Sequence, residues 1–392
     1  MKETTQILHK GDTPEKYHGA VNPPVYHASL FSYRTYQEFL EAFEDPTHRP
    51  VYSRSFNPTV NLLEKKFADL ERAEAAIAFS SGMGAITAPL LTLLSQGDHL
   101  LIVDVVYGPT RRFCNEVLSR MGIEVEYFPA AESADLSRRL RNNTRLIYLE
   151  SPGSLTFEIQ DLRAVAELAR SRGIYTIIDN SWATPLYQKP LEMGLDVVVH
   201  TGTKYIGGHS DLTLGLLACS TELFDKIKPN ASLLGANLAP DDAYLALRSL
   251  RTLPLRMAQH QEAALTIARW LQNRPEVREV LHPGLPNFPD HELAQRQQTG
   301  YSGLFSFRLQ PGTEQARHAF VDTLELFLIG VSWGGYESLM LPLDTAHNDE
   351  PAWRAHRGLD DDTFRTSIGL EDPEDLMADL ENGLAAWRRA MD

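Results

Sequence analysis

Four kinds of side chain stand where apolar runs of this chain give out, and together they describe one chemistry. The stretch Val197-Val198-Val199-His200-Thr201-Gly202-Thr203-Lys204 carries a buried-type run into small hydroxyl residues, a glycine and one lysine. A lysine held at the end of a core strand has its pKa lowered, and its free amine attacks a carbonyl. Asp179 closes the apolar run from Ile174. A carboxylate there costs several kcal/mol unless paired (roughly 2–7 kcal/mol for polar burial in general), and a protonated pyridine nitrogen pairs it. Ser81-Gly82-Met83 follows Ala76–Phe79 at a strand-to-helix junction, where free amides and a positive dipole end bind phosphate. Tyr107 follows the 99–103 run and offers a flat face for stacking. Thr201 and Thr203 add hydroxyl donors. Each feature alone has an ordinary explanation: a surface lysine, a capping aspartate, a tight turn, a half-buried core tyrosine. Jointly they place a phosphate cradle, a ring stacker, an acidic ring partner and an amine on successive strand ends. That set suits pyridoxal phosphate (PLP).

Two outlying places extend the set. Tyr52-Ser53-Arg54 puts a phenol and a guanidinium two residues apart on a segment without a core of its own. Arg54 is a fork for phosphate or a surface ion-pair partner. Arg365, in Thr363-Phe364-Arg365-Thr366-Ser367, holds an amino-acid carboxylate or a structural ion pair. Other patterns fail. Gly202-Thr203-Lys204 lacks the earlier glycine of a P-loop. His209-Ser210-Asp211 are consecutive and cannot converge as a triad. The 13 histidines show no metal-ligand spacing, so no metal site is expected.

These residues need a scaffold that aligns strand ends. From Thr59 onward short apolar strands alternate with amphipathic helices. Strands are expected at 76–79, 99–103, 125–128, 146–149 and 174–178, and helices at 109–121, 136–140 and 162–172. That alternation predicts an α/β domain with a mainly parallel sheet flanked by helices, which binds ligands at the carboxyl ends of its strands. After about Arg251 the pattern changes to a long helix (255–271), an alternating strand (303–309) and a C-terminal helix opened by Asp372 and Pro373. The division is an arm over 1–58, a large domain over 59–251 and a smaller α+β domain over 252–392. The arm reads as irregular, and its aromatics need another surface to cover them.

Lys+Arg number 37 against 52 Asp+Glu, a net charge of −15, which disfavours nucleic acid and anionic membrane as partners. No apolar run is long enough to span a bilayer, and the N-terminus lacks a signal-peptide core. The expectation is a cytoplasmic protein acting on a small molecule.

In order along the chain, Tyr52-Ser-Arg54, Asn57-Pro-Thr, Ser81-Gly82-Met83, Tyr107-Gly, Glu150-Ser-Pro, Asp179-Asn180, Thr201-x-Thr203-Lys204-Tyr and Gly208-His-Ser-Asp resemble the Cys/Met-metabolism enzymes of PLP fold type I. Ser332-Trp333-Gly334-Gly335-Tyr336-Glu337 and Arg365 through Asp372 are similar to the cystathionine β-lyase subgroup. γ-Specific relatives often carry glutamate and leucine around that serine, where this chain has Val331 and Trp333. Tyr107-Gly-Pro109 leans toward the γ-type. The resemblance implies that Lys204 bonds to the cofactor aldehyde and carries the Cα proton. It implies that Asp179 pairs with the ring nitrogen and that Tyr107 stacks on the ring. Gly82, Met83, Thr201 and Thr203 then hold the phosphate, with Tyr52 and Arg54 reaching it from a neighbouring subunit. Arg365, Ser332 and Trp333 face the substrate. A homo-oligomer with shared sites follows, a dimer at least and a homotetramer by family habit, with β-elimination of cystathionine as the expected activity.

Overall fold

Seven short strands with few polar residues pair into one sheet in the computed structural model, which describes residues 2–343, 353–354 and 357–392. They are β1 (Ala75–Phe79), β2 (His99–Val103), β3 (Glu124–Phe128), β4 (Thr144–Glu150), β5 (Tyr175–Asp179), β6 (Val197–Thr201) and β7 (Gly215–Cys219), in the order β1-β7-β6-β5-β4-β2-β3. β7 alone runs against the rest, antiparallel to both β1 and β6, while β6, β5, β4, β2 and β3 are parallel. The sheet is mainly parallel, as the alternation predicts.

Both faces are covered, because successive residues point to opposite sides. Ile77 and Phe79 join one apolar cluster with the helices Gly82–Leu93 and Leu162–Arg172. Ala76 and Ala78 join a second cluster with the helices Pro58–Glu71 and Pro240–Leu250.

A second sheet contains β8 (Val277–Leu281), β9 (Leu304–Leu309), β10 (Leu328–Ile329), β11 (Leu339–Pro342) and β12 (Thr363–Ser367), in the order β10-β11-β12-β9-β8. It packs with the helices Leu253–Gln272 and Pro373–Met391 around a third cluster. In the last helix Asp372 caps the amide of Glu374, and Leu376, Leu380, Leu384 and Trp387 are buried, as the stripe predicts.

Three expectations need correction. Residues 136–140 form a turn rather than a helix, with Leu136 buried as a plug. The 109–121 segment is helical but passes through a π turn at Cys114–Leu118. The N-terminal arm is not wholly irregular. It carries the helices Glu3–His9 and Tyr36–Phe43, the second opened by a reciprocal Thr35/Glu38 capping box. Several of the arm's aromatics stay uncovered within one chain, Tyr36 being 75% and Phe43 61% exposed, while Phe31 and Tyr33 are half-buried. No described helix is long and apolar enough to cross a membrane.

Candidate active site

The parallel strands end on one edge of the large sheet, and β12 with the 331–333 loop faces that edge from the second sheet. Between them lies an open cavity of about 590 Å³, mouth included, lined by Tyr107, Glu150, Asp179, Thr201, Lys204, Trp333 and Arg365 among others. That volume suits a drug-sized ligand.

Lys204 stands in the turn after β6, and its Nζ donates to Ser332 Oγ at 2.8 Å. The same nitrogen lies 5.3 Å from the centre of the Trp333 ring. Burial, reinforced by the Arg365 guanidinium and opposed by Asp179, lowers its pKa to about 8. The amine is therefore neutral above that pH and charged below it. In cofactor-free protein, reaction of Lys204 with a small carbonyl reagent should accelerate as pH rises through about 8, followed by mass-spectrometric labelling. A midpoint near the ordinary lysine value of about 10.4 would contradict this.

Asp179 ends β5, buried, with its Oδ1 accepting from the amide of Ser181 (2.9 Å) and from its hydroxyl (2.5 Å). Ser181 Oγ in turn accepts from the Thr201 amide at 2.6 Å, tying the ends of β5 and β6 together. Both contacts use Oδ1, so Oδ2 is the oxygen available to the cavity. Burial pushes the carboxyl pKa up, and the Ser181 bonds oppose that shift. A cation at Oδ2 would offset the remaining cost.

Across the sheet Ser81 caps the Gly82–Leu93 helix by accepting from the Gly84 amide (3.1 Å). The first amides of a helix have no intrahelical acceptor. Gly82 sits so close to Thr201 that an added Cβ would lie 2.3 Å from its Oγ1. This is the close approach that demands glycine, and it sets the Thr201 hydroxyl beside the helix N-terminus. Met83 is half-buried next to it.

Tyr107, 44% exposed, begins the helix after β2. Its backbone amide donates to Glu150 Oε2 at 2.7 Å. Burial and then Glu150 raise its phenol pKa, keeping the ring neutral. Arg365, buried on β12, donates from Nη2 to the carbonyls of Val331 (2.6 Å) and Ser332 (3.5 Å). Those bonds hold the loop that brings Ser332 to Lys204. Burial lowers the Arg365 pKa to about 10, which leaves it charged at neutral pH.

The cavity thus brings together Lys204, Asp179, Tyr107, Thr201, Trp333 and Arg365, with Gly82, Met83 and Ser332 alongside. Thr203 is put to another use. Its hydroxyl donates to the Leu214 carbonyl (3.2 Å) and accepts from the Leu214 amide (3.0 Å), so Thr201 is the threonine open to an anion. Tyr52 and Arg54 lie outside this cavity. Arg54 lines a separate pocket and stacks loosely on Tyr52, 5.7 Å from its ring centre. Residue reasoning missed Ser181, although a hydroxyl two positions after a strand-end aspartate is a common local partner. It also assigned no role to Glu150, which closes β4 as Asp179 closes β5.

Taken by donor chemistry, the residues fit PLP. Helix amides beside a threonine hydroxyl suit its phosphate, Asp179 Oδ2 its ring nitrogen, a low-pKa amine its aldehyde and Tyr107 its flat face.

Comparison with known proteins gives the same direction. A family model described as Cys/Met metabolism PLP-dependent enzyme matches residues 4–385. A Rhizobium johnstonii protein named "Putative cystathionine beta-lyase" is 44% identical over 97% of this chain and 96% of its own length. L-methionine γ-lyase of Pseudomonas putida is 39% identical over 97% of each chain. Among solved structures, cystathionine γ-synthase of Xanthomonas oryzae pv. oryzae, in complex with aminoacrylate and cysteine, superposes with a TM-score of 0.93 at 36% identity, covering 100% of this chain and 99% of that one.

Proposed function

Since the chain belongs to the PLP-dependent enzymes of cysteine and methionine metabolism, with their fold type I architecture and PLP as cofactor, we propose that it is a carbon–sulfur β-lyase. Its substrate in this reading is cystathionine, which with water yields homocysteine, pyruvate and ammonia. The observation that carries the reading is the Lys204 amine, 2.8 Å from Ser332 in a cavity that also holds Asp179 and Arg365.

Bound PLP supplies an aldehyde that captures amino groups and an electron-poor ring that stabilises negative charge at Cα. The chain's own groups do the rest. Lys204 anchors the cofactor, and as a neutral amine takes the substrate's Cα proton. Asp179 holds the proton on the ring nitrogen. The amides of Gly82 and Met83 and the Thr201 hydroxyl bind the phosphate, with Thr203 bracing that turn. Tyr107 supports the ring face. Arg365 binds the α-carboxylate, with Ser332 and Trp333 forming the adjoining wall. Tyr52 and Arg54, exposed on the arm, reach the phosphate of a neighbouring subunit, so a dimer is the least active unit and a homotetramer the proposed assembly. Their position outside the cavity of their own chain supports this.

β-Elimination needs one carbon-bound proton removed and one thiolate expelled, whereas γ-elimination needs a second proton taken at Cβ. Ser332 and Trp333, the side chains beside the Lys204 amine, add no second base, so a γ course would ask Lys204 to take both protons. This favours the β course. 2-Aminoacrylate leaves and hydrolyses in solution. γ-Cleavage is the second reading, supported by γ-acting relatives of nearly equal similarity and by Tyr107-Gly108-Pro109. The test is the 2-oxo acid released from cystathionine, with cystine and methionine as companion substrates. Pyruvate from the first two and none from methionine is expected, and 2-oxobutyrate from methionine would favour the γ-type.

A further inference from the structure

Glu150 lines the cavity but has no part in the chemistry above. It is the last residue of β4, and its register partner on β5 is Asp179, so two carboxylates stand side by side at neighbouring strand ends. Like charges so placed repel, so the second carboxyl must answer a specific demand. That demand is visible on its other side: Glu150 Oε2 accepts the backbone amide of Tyr107 at 2.7 Å. The backbone around Glu150 is itself fixed, since its amide donates to Gln160 Oε1 at 3.2 Å and the Gln160 amide donates to Ser151 Oγ at 3.1 Å. The Tyr107 carbonyl accepts from the amides of Thr110 (2.9 Å) and Arg111 (3.1 Å), which open a helix of only six residues, and Glu150 holds its amide on the other side.

We propose that Glu150 is a positioning residue, whose carboxyl oxygen fixes the Tyr107 backbone and thereby the height and tilt of the ring face that supports the cofactor. The claim rests on the functional reading of Tyr107 given above. The working group is an acceptor oxygen at glutamate length, and negative charge is incidental. Glutamine keeps that oxygen, aspartate draws it back by one methylene, and alanine removes it. A charge-based role would rank the variants the other way, with aspartate nearest to wild type.

The test uses Glu150→Gln, Glu150→Asp and Glu150→Ala. PLP is titrated into each cofactor-free protein, and the visible circular dichroism of each loaded enzyme is recorded. Removing the acceptor of the Tyr107 amide should weaken PLP binding by about tenfold in the alanine and aspartate variants and alter their visible dichroism. The glutamine variant should stay within about threefold of wild type with its dichroism intact. Should the alanine variant fail to fold, the aspartate–glutamine pair decides. Glutamine as impaired as alanine, aspartate indistinguishable from wild type, or alanine indistinguishable from wild type would each overturn the role of Glu150. A wild-type chain that binds no PLP overturns the functional reading instead.

Discussion

Lys204→Ala is expected to reduce kcat/KM by about 10⁴-fold or more, because one side chain performs two tasks that no neighbour can assume. In the proposed mechanism its amine anchors the cofactor and then serves as the base at Cα. Ser332 is its hydrogen-bond partner, and a hydroxyl cannot substitute as a base of suitable pKa. Trp333, whose ring centre lies 5.3 Å from the amine, cannot take a proton at all. The purified variant should also lose the visible absorption of lysine-bound PLP. Its thermal stability should be equal or greater, because a buried cation is removed. Lys204→Arg should not rescue, since guanidinium stays protonated and its planar fork is bulkier. Steady-state kinetics, an absorption spectrum and a melting curve on one preparation settle all three. Turnover within tenfold of wild type would remove Lys204 from the mechanism.

Asp179→Asn is the second large effect, expected to cost about 10²–10³-fold in kcat. Asparagine is nearly isosteric and keeps an acceptor for the Ser181 amide and hydroxyl, so the link from β5 to β6 through Ser181 and Thr201 survives. What disappears is the negative charge that, in the proposed mechanism, would hold a proton on the ring nitrogen so that the ring can draw charge from Cα. The folded protein should melt at the same temperature or higher, because the aspartate is buried at a cost. A melting temperature held while kcat collapses separates lost electrostatics from lost structure. A kcat within threefold of wild type would mean that the ring partner lies elsewhere.

The strand ends were legible in the sequence because two independent rules meet there. Apolar runs such as Leu146–Leu149 and Val197–Val199 announce buried strands, and polar residues that terminate such runs must face something other than core. Asp179, Lys204, Tyr107 and the Ser81-Gly82-Met83 junction were found this way; the first three line the cavity, and the junction lies against Thr201 beside it. The same rule applied to Glu150 would have found it as well. The antiparallel placement of β7 was not legible, since Gly215–Cys219 is as apolar as its parallel neighbours and direction is set by the connection. Nor was Thr203's commitment to Leu214, which arises from a turn that folds back onto β7's approach. The helix Tyr36–Phe43 was obscured by nearby prolines, although Tyr36, Phe39 and Phe43 share one helical face and Thr35 and Glu38 stood at capping-box spacing. Leu136–Leu140 misled in the opposite sense: two leucines at helical spacing, one of them a plug beneath a turn.

In the proposed mechanism Trp333, which lines the cavity, bears on the choice between the β and γ courses. The fate of L-cystathionine therefore tests β-elimination most directly. Incubated with the PLP-loaded enzyme, it should yield pyruvate and homocysteine in equal amounts, identified by mass spectrometry of the derivatised products. Release of 2-oxobutyrate with cysteine would contradict β-elimination, and intact cystathionine after prolonged incubation would contradict the assigned substrate.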